Sequence, residues 1–469
     1  MPKTEDSPRK HMISLYYCYP PAGLPKDQLA SHKLFHQETC TNLNLGGRIR
    51  VSEEGINGVL SGTEDALRLY ETRLRRELLQ LVVALDETTS PNECNDDLTT
   101  EWLDIKYCHL RNDISVEQQL FDSLQVKITR EVVSLIEPTP DNQGKNKGKR
   151  CRQRRKQKRK EKKQLQEKLA ETFVEEDESN ASATIASKEI VTIENWKNNT
   201  PAQHLSPEEW NNKLLHLAQQ EEEGSCVDSE AVLLDTRNIY ETRIGHFAVP
   251  KLATFFPNTR KFSSLPLALN TQEAAEALAG KQVFMYCTGG VRCERAGTYL
   301  RALSDSNSGA WQGKEKPKAI YQLKGGIQKY LESYGEQVEP KSDDDADAKQ
   351  CLYRGKNFVF DQRRTDPVVG NGIAKKDVSG RVVDRVSSVG QCIICNNTHD
   401  DYDNGFSPCD EKEARCCRCR VLVLVCNDCR HKVRSCGEPE TDNTIDLLCG
   451  GKKCIDEGNV AEMVETIRF

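Results

Sequence analysis

Short apolar runs alternate with amphipathic stretches along most of this chain, and the character of the alternation changes once. Residues 12–19 (MISLYYCY) make an apolar run of strand length, and 24–45 carries Leu29, Leu34 and Phe35 at helical spacing. Residues 47–62, GRIRVSEEGINGVLSG, predict two short strands about a Glu-Glu-Gly-Ile-Asn-Gly turn, where Gly and Asn suit positive φ angles. A helix follows over 64–79, with Glu and Arg alternating on its outer face, and strands at 103–109 and 126–136 complete an α/β unit of ferredoxin-like size.

Beyond 190 the period of the pattern is that of strands buried on both faces. A helix at 205–219 opens on a capping box, with Ser206 as N-cap, Pro207 at the first helical position and Glu209 two residues on. A buried strand at 231–234 ends in Asp235-Thr-Arg237. Strand and turn at 249–250 and 253–257, a helix at 271–278, a strand at 283–286, a helix from about Cys293 to 303 and a strand at 319–323 follow in turn. Gly325-Gly326 then turns into a last helix. Such alternation predicts a doubly wound parallel sheet. An apolar FVF between basic flanks at 353–364 is expected as a strap running back to the N-terminal domain.

Composition adds the linkers. A chain of 469 residues exceeds one core, and with 37% hydrophobic and 29% charged residues part of it has too little apolar surface to fold. That part is 139–190. Its stretch 144–163 holds 13 Lys or Arg and one Glu, hidden inside a net charge of −6. It reads as an electrostatic grip on nucleic acid, a nuclear-import signal, or a solvated insertion. No run of ~20 apolar residues and no apolar leader at the start predict a protein with no membrane partner. The expected location is cytoplasmic, or nuclear through 144–163. The expected divisions are a tail (1–10), a ferredoxin-like domain (11–138), the basic linker (139–190), the doubly wound domain (191–341), a connector (342–391) and a cysteine-rich region (392–469).

The chemistry concentrates at Cys287-Thr288-Gly289-Gly290-Val291-Arg292. A loop between strand and helix aims its N–H groups and the helix N-terminus at Cys287, and Arg292 adds a fixed charge, so the thiol should be partly ionised near neutrality. Cys293 is a resolving thiol or a packing residue. Asp235 and Arg237 arrive at the same sheet edge as supporting residues, and Asp235, Glu241 and His246 read best as structural.

The hexapeptide resembles the active loop of rhodanese-like sulfurtransferase domains, and Asp235-Thr-Arg237 leading through Glu241 to Gly245-His246 resembles their signature. The tyrosine-phosphatase loop places five residues between Cys and Arg, where this one places four. RIRVSEEGING followed by FDSLQVKITREVVSL is similar to the N-terminal half of the rhodanese-domain tRNA uridine hydroxylase family, over residues 11–137 and 191–365. That resemblance implies a ferredoxin-like domain that holds RNA, a tRNA partner, and 5-hydroxyuridine formation at the wobble position through Cys287. It makes Arg48, Arg50, Arg73, Arg75 and Arg76 candidate phosphate contacts. A sulfurtransferase carrying a persulfide on Cys287, and a non-catalytic RNA- or protein-binding module, stay open beside it. No cofactor signature for catalysis is visible.

Eleven of the 20 cysteines lie between Cys392 and Cys454. Cys392-x-x-Cys395, Cys416-x-x-Cys419 and Cys426-x-x-Cys429 have the spacing of zinc knuckles, with Cys409, His399 and His431 as further candidates. The apolar run between Cys419 and Cys426 is too small a core without metal, so structural zinc is expected. Which pairs share an ion is open. Nor does the sequence signal an oligomeric state.

Overall fold

The computed structural model describes residues 10–20, 23–85, 103–110, 115–135, 200–220, 230–335, 350–358, 365–367, 389–402, 414–416 and 421–433. The basic linker, with 144–163, lies outside the described residues.

The first domain runs β1 (His11–Cys18), α1 (Leu29–Asn42), β2 (Gly46–Ser52), β3 (Gly55–Thr63), α2 (Glu64–Leu85), β4 (Leu103–His109), the one-turn α3 (Val116–Gln119) and β5 (Leu124–Ile128). Its sheet has the order β4-β1-β3-β2-β5. The first four strands are mutually antiparallel, the ferredoxin-like arrangement, and β5 adds in parallel to the β2 edge. Strand alternation sends Met12, Tyr16, Ile49, Val51, Ile56 and Leu60 into a core under the helices. One prediction needs correction here: β5 ends at Ile128 instead of 136. Leu34, one of the apolar residues at helical spacing, is 53% exposed, while Leu29, His32, His36, Thr39 and Cys40 form the buried face of α1. His36 is tolerated there because its Nδ1 lies 2.8 Å from the Tyr70 hydroxyl, which itself meets the Tyr16 hydroxyl.

The second sheet, β6-β11-β10-β7-β9, is parallel throughout, built from Gln203–Leu205, Ala319–Leu323, Gln282–Tyr286, Ala231–Asp235 and Ala253–Phe255. Alternation again decides the packing. Val232, Leu234, Val283 and Met285 face α6 (Leu265–Leu269), α7 (Gln272–Leu278) and α8 (Val291–Asp305). Leu233, Phe284 and Tyr286 face α4 (Pro207–Gln220) and α9 (Gly326–Tyr334), around Trp210. Helices therefore cover both faces, as a doubly wound sheet requires. The capping box of α4 is present, with Ser206 N–H donating to Glu209 Oε2 at 2.8 Å and Glu209 N–H to Ser206 Oγ at 3.2 Å.

A small third sheet corrects the expected strap. β12 (Tyr353–Phe358) pairs with β8 (Gly245–Phe247) of the doubly wound domain and with β13 (Thr365–Pro367), not with the first domain. The Tyr353 hydroxyl caps the Arg237 guanidinium at 3.2 Å, which fixes the strand there. Among the described residues no helix is long and apolar enough to cross a membrane.

Burial pulls the His36 pKa from 6.5 down to about 3, helped by His32. The unfolded chain binds that proton near 6.5 and the folded one resists it, so this contribution is complete above 6.5 and lost progressively below. Thermal midpoints should fall as the pH drops below about 6.5, and His36→Gln should make the fall shallower. Equal slopes for the two proteins would contradict the assignment.

Candidate active site

β10 is the central strand of the parallel sheet and delivers Cys287 to its carboxyl edge, the edge at which such sheets bind ligands. The following helix starts at Val291, two residues earlier than the pattern predicts, so Arg292 belongs to its first turn. Gly290 adopts φ +95°, turning its N–H inward to donate to Cys287 Sγ at 3.1 Å. The back of the loop is held by Gly326 (φ +66°), whose missing Cβ would fall 2.6 Å from the Cys287 carbonyl oxygen. Ile327 and Gln328 then donate their N–H groups to the carbonyls of Cys287 and Thr288 at 2.9 and 3.0 Å.

Cys287 is fully buried, and burial alone would push its thiol up. The Cys293 thiol, the Arg292 charge and the backbone N–H groups of Cys293 and Arg292 outweigh burial and bring it from 9 down to about 6. Cys293 goes the other way. Burial and the neighbouring Cys287 raise it, so one proton is shared by two thiols and Cys287 is the more acidic. Thr236 Oγ1 lies 3.6 Å from Cys293 Sγ.

Glu241, taken from sequence as structural, is what fixes Arg292. It lies in the one-turn helix α5 (Ile239–Thr242), which counts between α4 and α6 only in position and carries its carboxylate inward. Arg292 Nη1 and Nη2 donate to Glu241 Oε2 and Oε1 at 2.7 and 2.6 Å, and the Thr288 hydroxyl donates to Oε1 at 3.1 Å. The Asn238-x-x-Glu241 spacing of a capping box was the available signal for its orientation, and Asn238 N–H does donate to Oε2 at 3.1 Å. Nothing in the spacing reveals Arg292 as its partner.

Asp235 and Arg237 do not reach the loop. Both are fully buried and paired at 2.6 Å, and Arg237 Nη2 also donates to the Gly245 carbonyl at 2.5 Å. They support indirectly, because Asp235 is the register neighbour of Tyr286 at the end of β10. His246 Nδ1 donates to the Thr242 carbonyl at 3.2 Å, a structural contact.

The first domain covers the loop, which the pattern did not foretell. A Cβ on Gly289 would come within 2.8 Å of Leu15, and one on Gly290 within 2.8 Å of the Tyr17 hydroxyl. Glu54, from the Glu-Glu-Gly-Ile-Asn-Gly turn, pairs with Arg295 of α8 at 3.0 Å with both groups nearly buried. Arg295 in turn lies over the Tyr19 ring. Of the five candidate phosphate contacts, Arg48 and Arg50 line a cleft beside the loop. Arg73, Arg75 and Arg76 belong to α2, under the opposite face of the sheet, and Arg75 is held by Glu71 at 2.7 Å.

In the tail, Cys392, Cys395, Cys426 and Cys429 bring their Sγ atoms within 4.8 Å of one another. A tetrahedral ion with ~2.3 Å bonds separates its sulfurs by ~3.8 Å, so four thiolates here fit a metal ion. Cys426 N–H also donates to Cys392 Sγ at 3.3 Å, a contact that favours the thiolate. The first and third knuckles thus pair across the second. Cys416 is buried outside this group, and His399 and His431 are not in it. Cys409 and Cys419 lie outside the described residues. The knuckles pack on α5: Ile239 and Tyr240 join their apolar cluster, and the Tyr402 hydroxyl donates to the Tyr240 carbonyl at 2.8 Å.

The site is thus a buried acidic cysteine in a six-residue loop, at the carboxyl end of the central strand of a five-stranded parallel sheet. Comparison with known proteins finds likenesses that span most of the chain. Residues 11–132 match the family described as UPF0176 acylphosphatase like domain. Rhodanese-like domain-containing protein 6 of Arabidopsis thaliana is 31% identical over 90% of this chain, which spans 51% of that protein, about half its length. The tRNA uridine(34) hydroxylase of Onion yellows phytoplasma is 27% identical over 78% of each chain. The Chlamydia felis protein of that name is 25% identical over 91% of this chain and 85% of its own. A solved yeast structure, Ygr203w, a protein tyrosine phosphatase of the rhodanese family, is 17% identical over 29% of this chain and 89% of its own, with a TM-score of 0.19, too low to bear on the fold. The chain is similar, over most of its length, to proteins named tRNA uridine(34) hydroxylase, as its motifs lead one to expect.

Alkylation of Cys287 by a small reagent should rise with pH through an inflection near 6. Replacing the charge, Arg292→Met, should move the inflection upward, because the guanidinium favours the thiolate. An inflection near 9, or one unmoved by the substitution, would sink this account of the loop.

Proposed function

We propose that this chain is a tRNA-modifying oxidoreductase that hydroxylates uridine at the wobble position, with Cys287 as the reactive group and Arg292 holding it ionised. The observation that carries the reading is a thiolate-forming loop placed under a basic cleft shared with the acylphosphatase-like domain. Relatives that span both domains are named tRNA uridine(34) hydroxylase, which supports the same conclusion. In this reading Thr288, Gly289, Gly290 and Val291 shape the floor of the site, Leu15 and Tyr17 exclude water from it, and Cys293 keeps the shared proton beside Cys287. Asp235 and Arg237 brace the strand end.

The four-cysteine cluster, we propose, holds zinc, since four soft thiolates in tetrahedral reach suit that ion, and its role is structural. The basic run 144–163 serves as a sequence-blind grip on the phosphates of tRNA. The bounds drawn from sequence at 138, 190, 341 and 391 are proposed as the domain limits.

A second reading has its own observation. The loop N–H groups converge on sulfur, the arrangement a persulfide anion on Cys287 would need, so sulfur transfer remains the rival chemistry. Mass spectrometry of tRNA nucleosides separates the two. Cells lacking the protein should lose 5-hydroxyuridine at the wobble position, and Cys287→Ser should fail to restore it. Deleting 144–163 should lower the yield without moving the modified position. Loss of a thiolated nucleoside instead would make the protein a sulfurtransferase, and an unchanged nucleoside profile would remove both readings.

A further inference from the structure

Among the described residues, one face of the ferredoxin-like sheet carries none of that domain's helices, and this is the face that meets the active loop. Strand alternation and register decide what it carries. One row across it runs Tyr17–Asn57–Arg50–Lys127 and the next Leu15–Val59–Arg48–Gln125. Each row begins with the residue that lies on the loop and ends in exposed polar or basic groups. Between that face and the loop is a cleft of about 380 Å³, the size class of small-ligand sites. Arg48, Arg50 and Asn57 line one side, Thr288, Gly289 and Arg292 the other. Tyr240 and Phe358, in edge contact at 5.2 Å, close its end.

The lining carries the guanidinium groups of Arg48, Arg50 and Arg292 against the single Glu241 carboxylate, which Arg292 already neutralises. Arg48 rests on the Phe121 ring and Arg50 has no acidic partner among the described residues. The Asn57 amide likewise makes no hydrogen bond there. An unneutralised basic pair, an amide open to a ligand and an aromatic wall around a half-open cleft form a set that suits a nucleotide. Arg48 and Arg50 are two residues apart on one strand, ~6.8 Å along it, close to the spacing of successive backbone phosphates.

We propose that this cleft seats one extruded pyrimidine base of a single-stranded RNA, with Arg48 and Arg50 on the phosphates that flank it and Asn57 on the edge of the base. The phosphate contacts place the strand, and the amide and the aromatic wall hold the base against Thr288 and Gly289, directly over the Cys287 loop. The assignment rests on the reading of the site as one that acts on RNA uridine, but its test does not use the modification reaction.

Equilibrium binding to the full-length protein is measured for a short single-stranded RNA with one central uridine and for the same strand with an abasic residue there. The uridine strand should bind about tenfold tighter, the size expected of one seated base. Asn57→Ala should collapse that ratio toward one and leave the salt dependence unchanged, because no phosphate contact is lost. Arg48→Gln and Arg50→Gln should weaken both strands alike, each reducing the slope of log affinity against log salt by about 0.7. All three residues are on a sheet surface, and thermal midpoints matching the parent protein confirm that the variants fold. An Asn57→Ala protein that keeps the full ratio, or arginine variants with an unchanged slope, would overturn the proposal, the RNA then being held elsewhere. The expected binding pattern, together with a wobble uridine that is never hydroxylated, would leave the cleft assignment standing and remove the hydroxylase reading alone.

Discussion

The carboxylate of Glu241 is the point on which the site depends. It accepts both terminal nitrogens of Arg292, the hydroxyl of Thr288 and the N–H of Asn238. Burial alone would raise the pKa of this carboxylate, but Arg292, Arg237 and the Asn238 N–H together hold it below the usual carboxylate value. The pairing in turn fixes the first turn of α8, whose N–H groups and charge make Cys287 acidic. Replacing either partner alone leaves the other buried and uncompensated, which is why the pair is a constraint on the whole loop and not a surface ornament.

Three parts of the chain converge on that carboxylate. The parallel sheet supplies the loop. The ferredoxin-like domain covers it with Leu15 and Tyr17 and is held in place by Glu54 against Arg295. The cysteine knuckles press on Ile239 and Tyr240, the residues just before Glu241. The four clustered cysteines therefore brace the outer side of the helix whose inner side positions Arg292, and a metal held by them would stiffen that support. Domain cover and tail together explain how a thiolate that needs only six residues of loop comes to be set in a chain of this length.

Much of this was legible in the sequence where a local rule decides it. The strand at 283–286, the loop chemistry of Cys287 to Arg292, the capping box at Ser206 and the knuckle spacing each depend on a few adjacent residues, and each pattern has one favourable solution. What was not legible depends on contacts far apart in the chain. Glu241 reads from sequence as half of a structural ion pair, which it is, but no local pattern names Arg292, fifty-odd residues on, as the other half. Helical spacing groups Leu34 with Leu29 and Phe35, and does not show that Tyr16 and Tyr70 offer His36 a polar partner inside. The strap was sent to the wrong domain because an apolar FVF carries no mark of which strand it will join. Interleaving of the first and third knuckles is likewise a matter of fold, since every pair has the same spacing.

The tail and the loop bear on the two sides of α5, so a change in one should reach the other. The most direct measurement is the ultraviolet thiolate titration of Cys287 in the full chain, taken as the difference from Cys287→Ser. It is repeated with Cys429→Ser, which removes one of the four clustered sulfurs. The account predicts that the Cys287 transition near 6 moves upward when the cluster is broken, as Glu241 loses its outer support and Arg292 its fixed place. A titration unchanged by Cys429→Ser, in a protein confirmed to have lost its metal, would contradict it.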